Sequence, residues 1–196
     1  MNHPTPRAQT PTRERIVTTA AQMFRARGVT GTGILEILTA AEAPRGSMYH
    51  HFPGGKSQLV EDALRLESAR VASELESLIG TDADISTAIR QFAQALAASL
   101  EDSGFQLGCP ITTAALELAA EDDGVRAVCA DAYRTWQEML RDLLLDRRRD
   151  ADRVAAASDA ELILSTIEGG LLLARAHQDA DIVRRLGERL SQLVAR

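Results

Sequence analysis

The sequence predicts an all-α fold of about nine helices, and three observations carry that expectation. Runs of alternating β-branched residues are nearly absent, so strand signals are missing. Ala, Leu, Glu and Arg dominate, and apolar residues recur at helical spacing. Clusters of Gly, Pro, Asp and Thr then break the pattern into segments of helical length. The chain has 196 residues, enough for one large domain or a small one joined to a larger one. A hydrophobic content of 45% supplies a core, and 26% charged residues is ordinary for a globular protein.

The first helix is predicted over 11–27, with Thr10 as cap, Pro11 at the first helical position and Gly28 as stop. Ile16, Val17, Ala20, Ala21 and Phe24 form its apolar face. A second helix is expected over 33–41, capped by Thr32, with Ile34, Ile37, Leu38 and Ala41 on one side. Glu42-Ala43 makes a tight turn into a third helix over 44–51, and two short helices so joined form a helix-turn-helix. Phe52-Pro53-Gly54-Gly55 breaks the chain before a long helix over 56–79. Five more helices follow, near 84–101, 110–121, 124–149, 157–177 and 179–195. The expected division is a head, 1–55, and a larger body, 56–196. The apolar stripe Ile163, Ile167, Leu171 and Ala174, and its counterpart Ile182, Leu186, Leu190 and Leu193, fit either an internal core or a seam between copies. Gly169-Gly170 lies mid-helix at a cost of about 1 kcal/mol per Gly, which a closely packed backbone or ligand would explain.

Net charge is −6, but it is unevenly placed. Residues 1–60 hold seven Lys/Arg and three Asp/Glu, whereas 61–196 hold fifteen and twenty-five. A basic head on an acidic body attracts nucleic acid at one end and repels it at the other. The polar, Pro-rich start has no apolar core of a secretory signal, and no run is long and apolar enough to span a membrane. Cys109 and Cys129 match no metal spacing and read as reduced cytoplasmic thiols. No cofactor is expected. An enzyme would need a nucleophile and base that spacing reveals, and four His residues supply none. Gly54-Gly55-Lys56-Ser57 resembles the end of a nucleotide-binding loop, but His50 stands where its first glycine belongs and Pro53 removes a backbone donor.

The segment 28–59 resembles the DNA-binding region of TetR-family repressors through Gly28, Thr32, Ile34, Ile37, Ala40, Ala41, Arg45, Gly46, Met48, Tyr49, His51, Phe52 and Lys56. Phe52-Pro53-Gly54-Gly55-Lys56, and Gly108-Cys109-Pro110 ahead of 113–117, resemble the LmrA/YxaF-like branch. Two positions depart from the pattern: Glu42 occupies a turn position that is commonly Gly, and Gly33 stands where Ser or Thr is common. The resemblance implies a dimer on a double-stranded DNA operator, joined by a four-helix seam built from the apolar faces of the last two helices, and a small-molecule effector in the body. The expected DNA contacts are Thr32, Pro44, Arg45, Gly46, Ser47, Tyr49, His50 and Lys56. Arg45 can bond guanine bidentately or take a phosphate, Tyr49 reaches phosphate or packs, and Met48 and Phe52 belong to the core. Lys56, the only lysine, opens a helix where an anion is favoured, and reads as a clamp on a DNA phosphate.

The expected ligand site draws on Phe92, Phe105, Leu107, Cys109, Thr112, Leu116, Tyr133, Trp136, Gln137, Leu140 and Glu168. That mixture of large apolar and scattered polar groups suits a pocket, and equally suits a helical core. Cys109 at a helix start is expected to be mildly acidic. The reading is a ligand-responsive dimeric repressor released from a palindromic operator by an apolar or aromatic effector. Its alternative is a constitutive DNA-binding helical dimer without an effector.

Overall fold

In a computed structural model, the structure describes residues 11–79, 84–147 and 152–195, and these contain nine α-helices and no strand. The head consists of α1 (Thr12–Arg27), α2 (Ile34–Ala40) and α3 (Ser47–His51). Ile16, Ala20, Phe24, Ile37, Leu38, Met48 and Phe52 meet in its core, each almost wholly buried. The Thr10 cap lies outside the described residues, and α1 opens on Pro11, whose carbonyl accepts from the Arg15 N–H at 3.0 Å. Gly28 ends α1 with φ 77°, and its N–H returns to the Phe24 carbonyl at 3.0 Å. A methyl group there would also overlap the Glu117 carboxylate, so glycine is required for two reasons.

Two starts differ from expectation in the head. Thr32 does not cap α2: it is buried, and its hydroxyl donates back to the Gly28 carbonyl at 2.7 Å. The N-cap is Gly33, whose N–H is taken by the Glu36 carboxylate at 3.1 Å. α3 starts at Ser47 rather than 44, because Pro44-Arg45-Gly46 closes a turn in which the Ser47 N–H donates to the Pro44 carbonyl at 2.9 Å. Between α2 and α3 the chain makes a Schellman ending, with Ala43 N–H on Leu38 O at 2.9 Å and Glu42 N–H on Thr39 O at 3.1 Å. Glu42 holds the left-handed position, φ 50°, that the missing glycine would otherwise fill.

The body begins with α4 (Gly55–Ile79), which packs on α1 of the head and on a body helix, α7 (Asp123–Arg147). The other body helices are α5 (Ile85–Asp102), α6 (Pro110–Leu118), α8 (Arg153–His177) and α9 (Asp181–Val194). Side-chain caps fix three of the starts. Asp84 accepts from Thr87 N–H at 3.0 Å, Asp122 from Val125 N–H at 3.0 Å, and Asp152 from Ala155 N–H at 2.7 Å. The last of these starts α8 four residues earlier than the predicted 157. Arg147-Arg148-Arg149, a basic run expected to cap the C-terminus of α7, falls partly outside the described residues.

The Ile163, Ile167, Leu171 and Ala174 stripe is buried within the chain, against the α7 and α9 side. It is core and not an exposed seam. Leu190 is likewise buried, and Leu186 is half-buried against Gly170, where a Cβ would lie 2.8 Å from the leucine methyl. Gly170 therefore answers to close α8–α9 packing, whereas Gly169 faces open space. Gly187 brings α9 onto α5, because a methyl there would overlap Ala93. No helix among the described residues is long and apolar enough to cross a membrane.

Candidate DNA-reading face and effector cavity

The turn before α3 and the helix itself form one exposed end of the head. Pro44, Arg45, Gly46 and His50 are exposed, Ser47 is half-buried, and Tyr49 is 86% exposed. The period of the short helix explains this, because Met48 and Phe52 point inward at a spacing of four and leave their neighbours outside. Tyr49 is thus a surface residue and not a packed one.

Two expected DNA contacts make hydrogen bonds within the protein: Thr32 is buried, and Lys56 is half-buried. Thr32 is 1% exposed and its hydroxyl is held by Gly28, so it presents no group to a phosphate. Lys56 Nζ donates to the Val29 and Thr32 carbonyls, both at 2.9 Å. Two of its three donors therefore fasten the first turn of α4 to the loop 28–32. The same loop is held from the body. Glu117, near the end of α6, accepts from Val29 N–H at 2.7 Å and from Thr30 N–H at 3.0 Å. Glu117 closes the 113–117 run that carries part of the family resemblance, but its role was not legible there, because its partners are backbone groups 88 and 87 residues away.

A cavity of about 370 Å³ lies in the body. Of the residues expected around a ligand, Phe92, Leu107, Cys109, Trp136, Leu140 and Glu168 line it. Phe105, Thr112, Leu116, Tyr133 and Gln137 are not among its walls. Leu116 sits on the outer side of α6 and is 76% exposed. Thr112 lies behind Glu168, donating to its carboxylate at 2.6 Å, with the Tyr133 hydroxyl 2.7 Å away. Gln137 is the next residue after Trp136 and so points about 100° round α7, away from it. Phe105 packs on the core from the loop before α6, where its carbonyl accepts from Arg175 at 3.3 Å. Unforeseen walls come from Arg25 of α1 and from Arg70 and Glu74 of α4. Trp136 is 1% exposed, donates from Nε1 to the Ser68 carbonyl at 3.2 Å and meets Tyr133 edge-on at 5.8 Å.

Burial sets the electrostatics of this region. It holds the Glu168 carboxyl above the usual carboxylate range, against the hydrogen bonds from Thr112 and Cys109. It pushes the Cys109 thiol up to about 12, and the nearby Glu168 adds to the effect. The expected mild acidity of Cys109 is thereby overturned, since desolvation outweighs the helix start and leaves a protonated thiol. Burial also raises Tyr133 above the usual phenol range. The chamber is mostly apolar, with Arg25, Arg70 and Glu74 at one side and the half-buried Glu168 and Cys109 at another, and among the described residues no cluster of His, Cys, Asp or Glu could hold a metal.

A basic, exposed helix-turn-helix head fused to a hollow helical body defines a DNA-binding transcriptional regulator. The profile of the bacterial regulatory proteins of the TetR family matches residues 16–63, and that of the C-terminal domain of LmrA/YxaF-like transcriptional regulators matches 86–189. An uncharacterized HTH-type transcriptional regulator of Mycobacterium tuberculosis is 34% identical over 181 residues, 88% of this chain and 90% of that protein. The HTH-type transcriptional repressor DhaR of a Mycobacterium species is 26% identical over 180 residues, 89% of this chain and 87% of that one. A TetR transcriptional regulator from Legionella pneumophila superposes with a TM-score of 0.84 at 22% identity, over 95% of this chain and 99% of that one. The chain belongs to the TetR family of transcriptional regulators, in its LmrA/YxaF-like branch. It is accordingly a regulator and not an enzyme.

Proposed function

We propose that the protein is a dimeric cytoplasmic repressor whose head, 1–55, reads each half of a palindromic operator and whose body, 56–196, binds an apolar or aromatic effector that releases it. The observation that carries this reading is the path of α6. It starts at Cys109 and Pro110 in the cavity wall and ends near Glu117, which holds the Val29–Thr30 backbone of the head. A ligand that shifts the α6 start therefore acts on the seat of the helix-turn-helix, and α4 offers a second path through Arg70 and Glu74. Release requires that the ligand bind the DNA-incompetent arrangement better than the competent one, with a typical coupling of about 1–3 kcal/mol.

The two heads must stand about 34–36 Å apart to reach successive half-sites, which calls for a seam in the body. The outer side of α8 supports one: Leu162, Leu172 and Leu173 are exposed beside the open Gly169. The repressor role is further supported by the name of the DhaR relative. The test is selection of bound sequences from random DNA duplexes, followed by binding measurements on the selected site. A palindrome is expected, and Arg45→Ala should relax base preference at one position per half-site by about 1–3 kcal/mol. Selection of no sequence, or of an asymmetric one, would contradict the reading. The constitutive alternative predicts the same palindrome but no compound that changes its affinity.

A further inference from the structure

The cavity wall includes one residue of the head, Arg25 in the last turn of α1. Its Nε is the one buried side-chain nitrogen or oxygen among the described residues that lacks a hydrogen-bond partner. A buried donor without a partner costs about 1–3 kcal/mol, so it needs an explanation. The nearest carboxylate, Glu67 on α4, lies 3.7 Å from it, too far for a hydrogen bond. Glu67 is itself buried and takes Arg70 Nε at 2.9 Å, and Arg70 in turn pairs with Glu74. Arg70 is therefore matched twice, while Arg25 is left with a loose ion pair and an open donor.

We propose that the effector is a carboxylic acid on an apolar body, and that the Arg25 guanidinium, which lines the cavity and holds only a loose ion pair, receives its carboxylate. The inference rests on the cavity being the effector site. Paired N–H groups of a guanidinium form a fork that matches the two carboxylate oxygens, and a charge-assisted pair of bonds is the strongest contact this chamber can offer. The remainder of the chamber suits the rest of such a molecule, with Phe92, Leu96, Trp136, Leu140 and Ile167 as apolar walls. Burial raises the Glu168 carboxyl above its ordinary value, which weakens its opposition to an acid, and Arg70 already pairs with both Glu67 and Glu74. Arg25 also gives the acid a place in the head itself, because α1 carries the core against which α2 and α3 pack.

The test compares acids with alcohols of the same skeleton: decanoate against 1-decanol, and 2-naphthoate against 2-naphthylmethanol. Binding is read by the fluorescence of Trp136, the only tryptophan, in the full-length protein. At least one acid should bind about tenfold or more tighter than its alcohol, the size expected of a hydrogen bond to a charged group. Arg25→Met should abolish that preference, and Arg25→Lys, which keeps charge but not the fork, should restore part of it. The comparison on the unmodified protein stands even if a variant fails to fold. Equal binding of acids and alcohols would overturn the inference while leaving the cavity as the effector site. Binding of none of the four probes would overturn both.

Discussion

Glu42 and Glu168 are each held in an environment that their chemistry resists. Glu42 sits at φ 50° in the position a glycine takes in this type of helix ending. Arg15 braces it, reaching the Ala41 carbonyl at 3.3 Å and the Glu42 carbonyl at 3.4 Å. Glu42→Gly should therefore stabilise the protein by about 0.5–1 kcal/mol in chemical denaturation, the left-handed penalty less the flexibility that glycine adds to the unfolded chain. A loss of stability would show that the brace, and not backbone strain, governs the turn. Glu168 gives a pH signature. Its folded pKa is raised, so between the unfolded and folded values the native state binds more protons than the unfolded state. Its contribution to stability is intact below the usual carboxylate range and is lost as pH rises through the raised value. Glu168→Gln keeps a partner for Thr112 and removes the titration. The stability of this variant relative to the original should grow with pH across that window and then level off. A constant difference across the window would mean that the Glu168 carboxyl is not raised in the folded protein.

At the scale of elements, the helices were legible because each has an apolar face at helical spacing and a marked end. Phe24 with Gly28, and Phe52 with the following Pro-Gly-Gly, are examples. The less legible features depended on partners distant in sequence. Lys56 read as a phosphate clamp because its helix start favours anions, yet the Val29 and Thr32 carbonyls lie within its reach once the chain folds. Thr32 read as a cap, and Glu36 performs that task while the Thr32 hydroxyl turns to Gly28. Periodicity could not decide which side of α8 faces outward, since both sides carry apolar residues. The structure places Ile163, Ile167 and Leu171 inside and leaves Leu162, Leu172 and Leu173 outside. Leu173→Glu should thus give a folded monomer in light scattering at micromolar concentration, with helical circular dichroism retained. Ile167→Glu should instead destabilise the fold by several kcal/mol, because it buries an uncompensated charge. A dimeric Leu173→Glu protein would place the seam elsewhere.

Over the whole molecule, the charge split pointed to a DNA-facing head and the resemblance of 28–59 pointed to its family, but the link between cavity and head could be seen only in three dimensions. That link is the carboxylate of Glu117 on the loop that α1 and α2 share, with Lys56 holding the same loop from the start of α4. Glu117→Gln keeps the size of the side chain but weakens its acceptor. It should leave ligand affinity at Trp136 nearly unchanged while altering how far the ligand changes operator affinity. The most direct test of the account measures the affinity of the protein for its selected operator duplex with the cavity empty and with it saturated by an acid probe, occupancy being followed by Trp136 fluorescence at the same salt concentration. The account predicts a loss of operator affinity of roughly 5- to 150-fold on saturation, the range of typical coupling free energies. An operator affinity that stays constant while Trp136 reports full occupancy would contradict it.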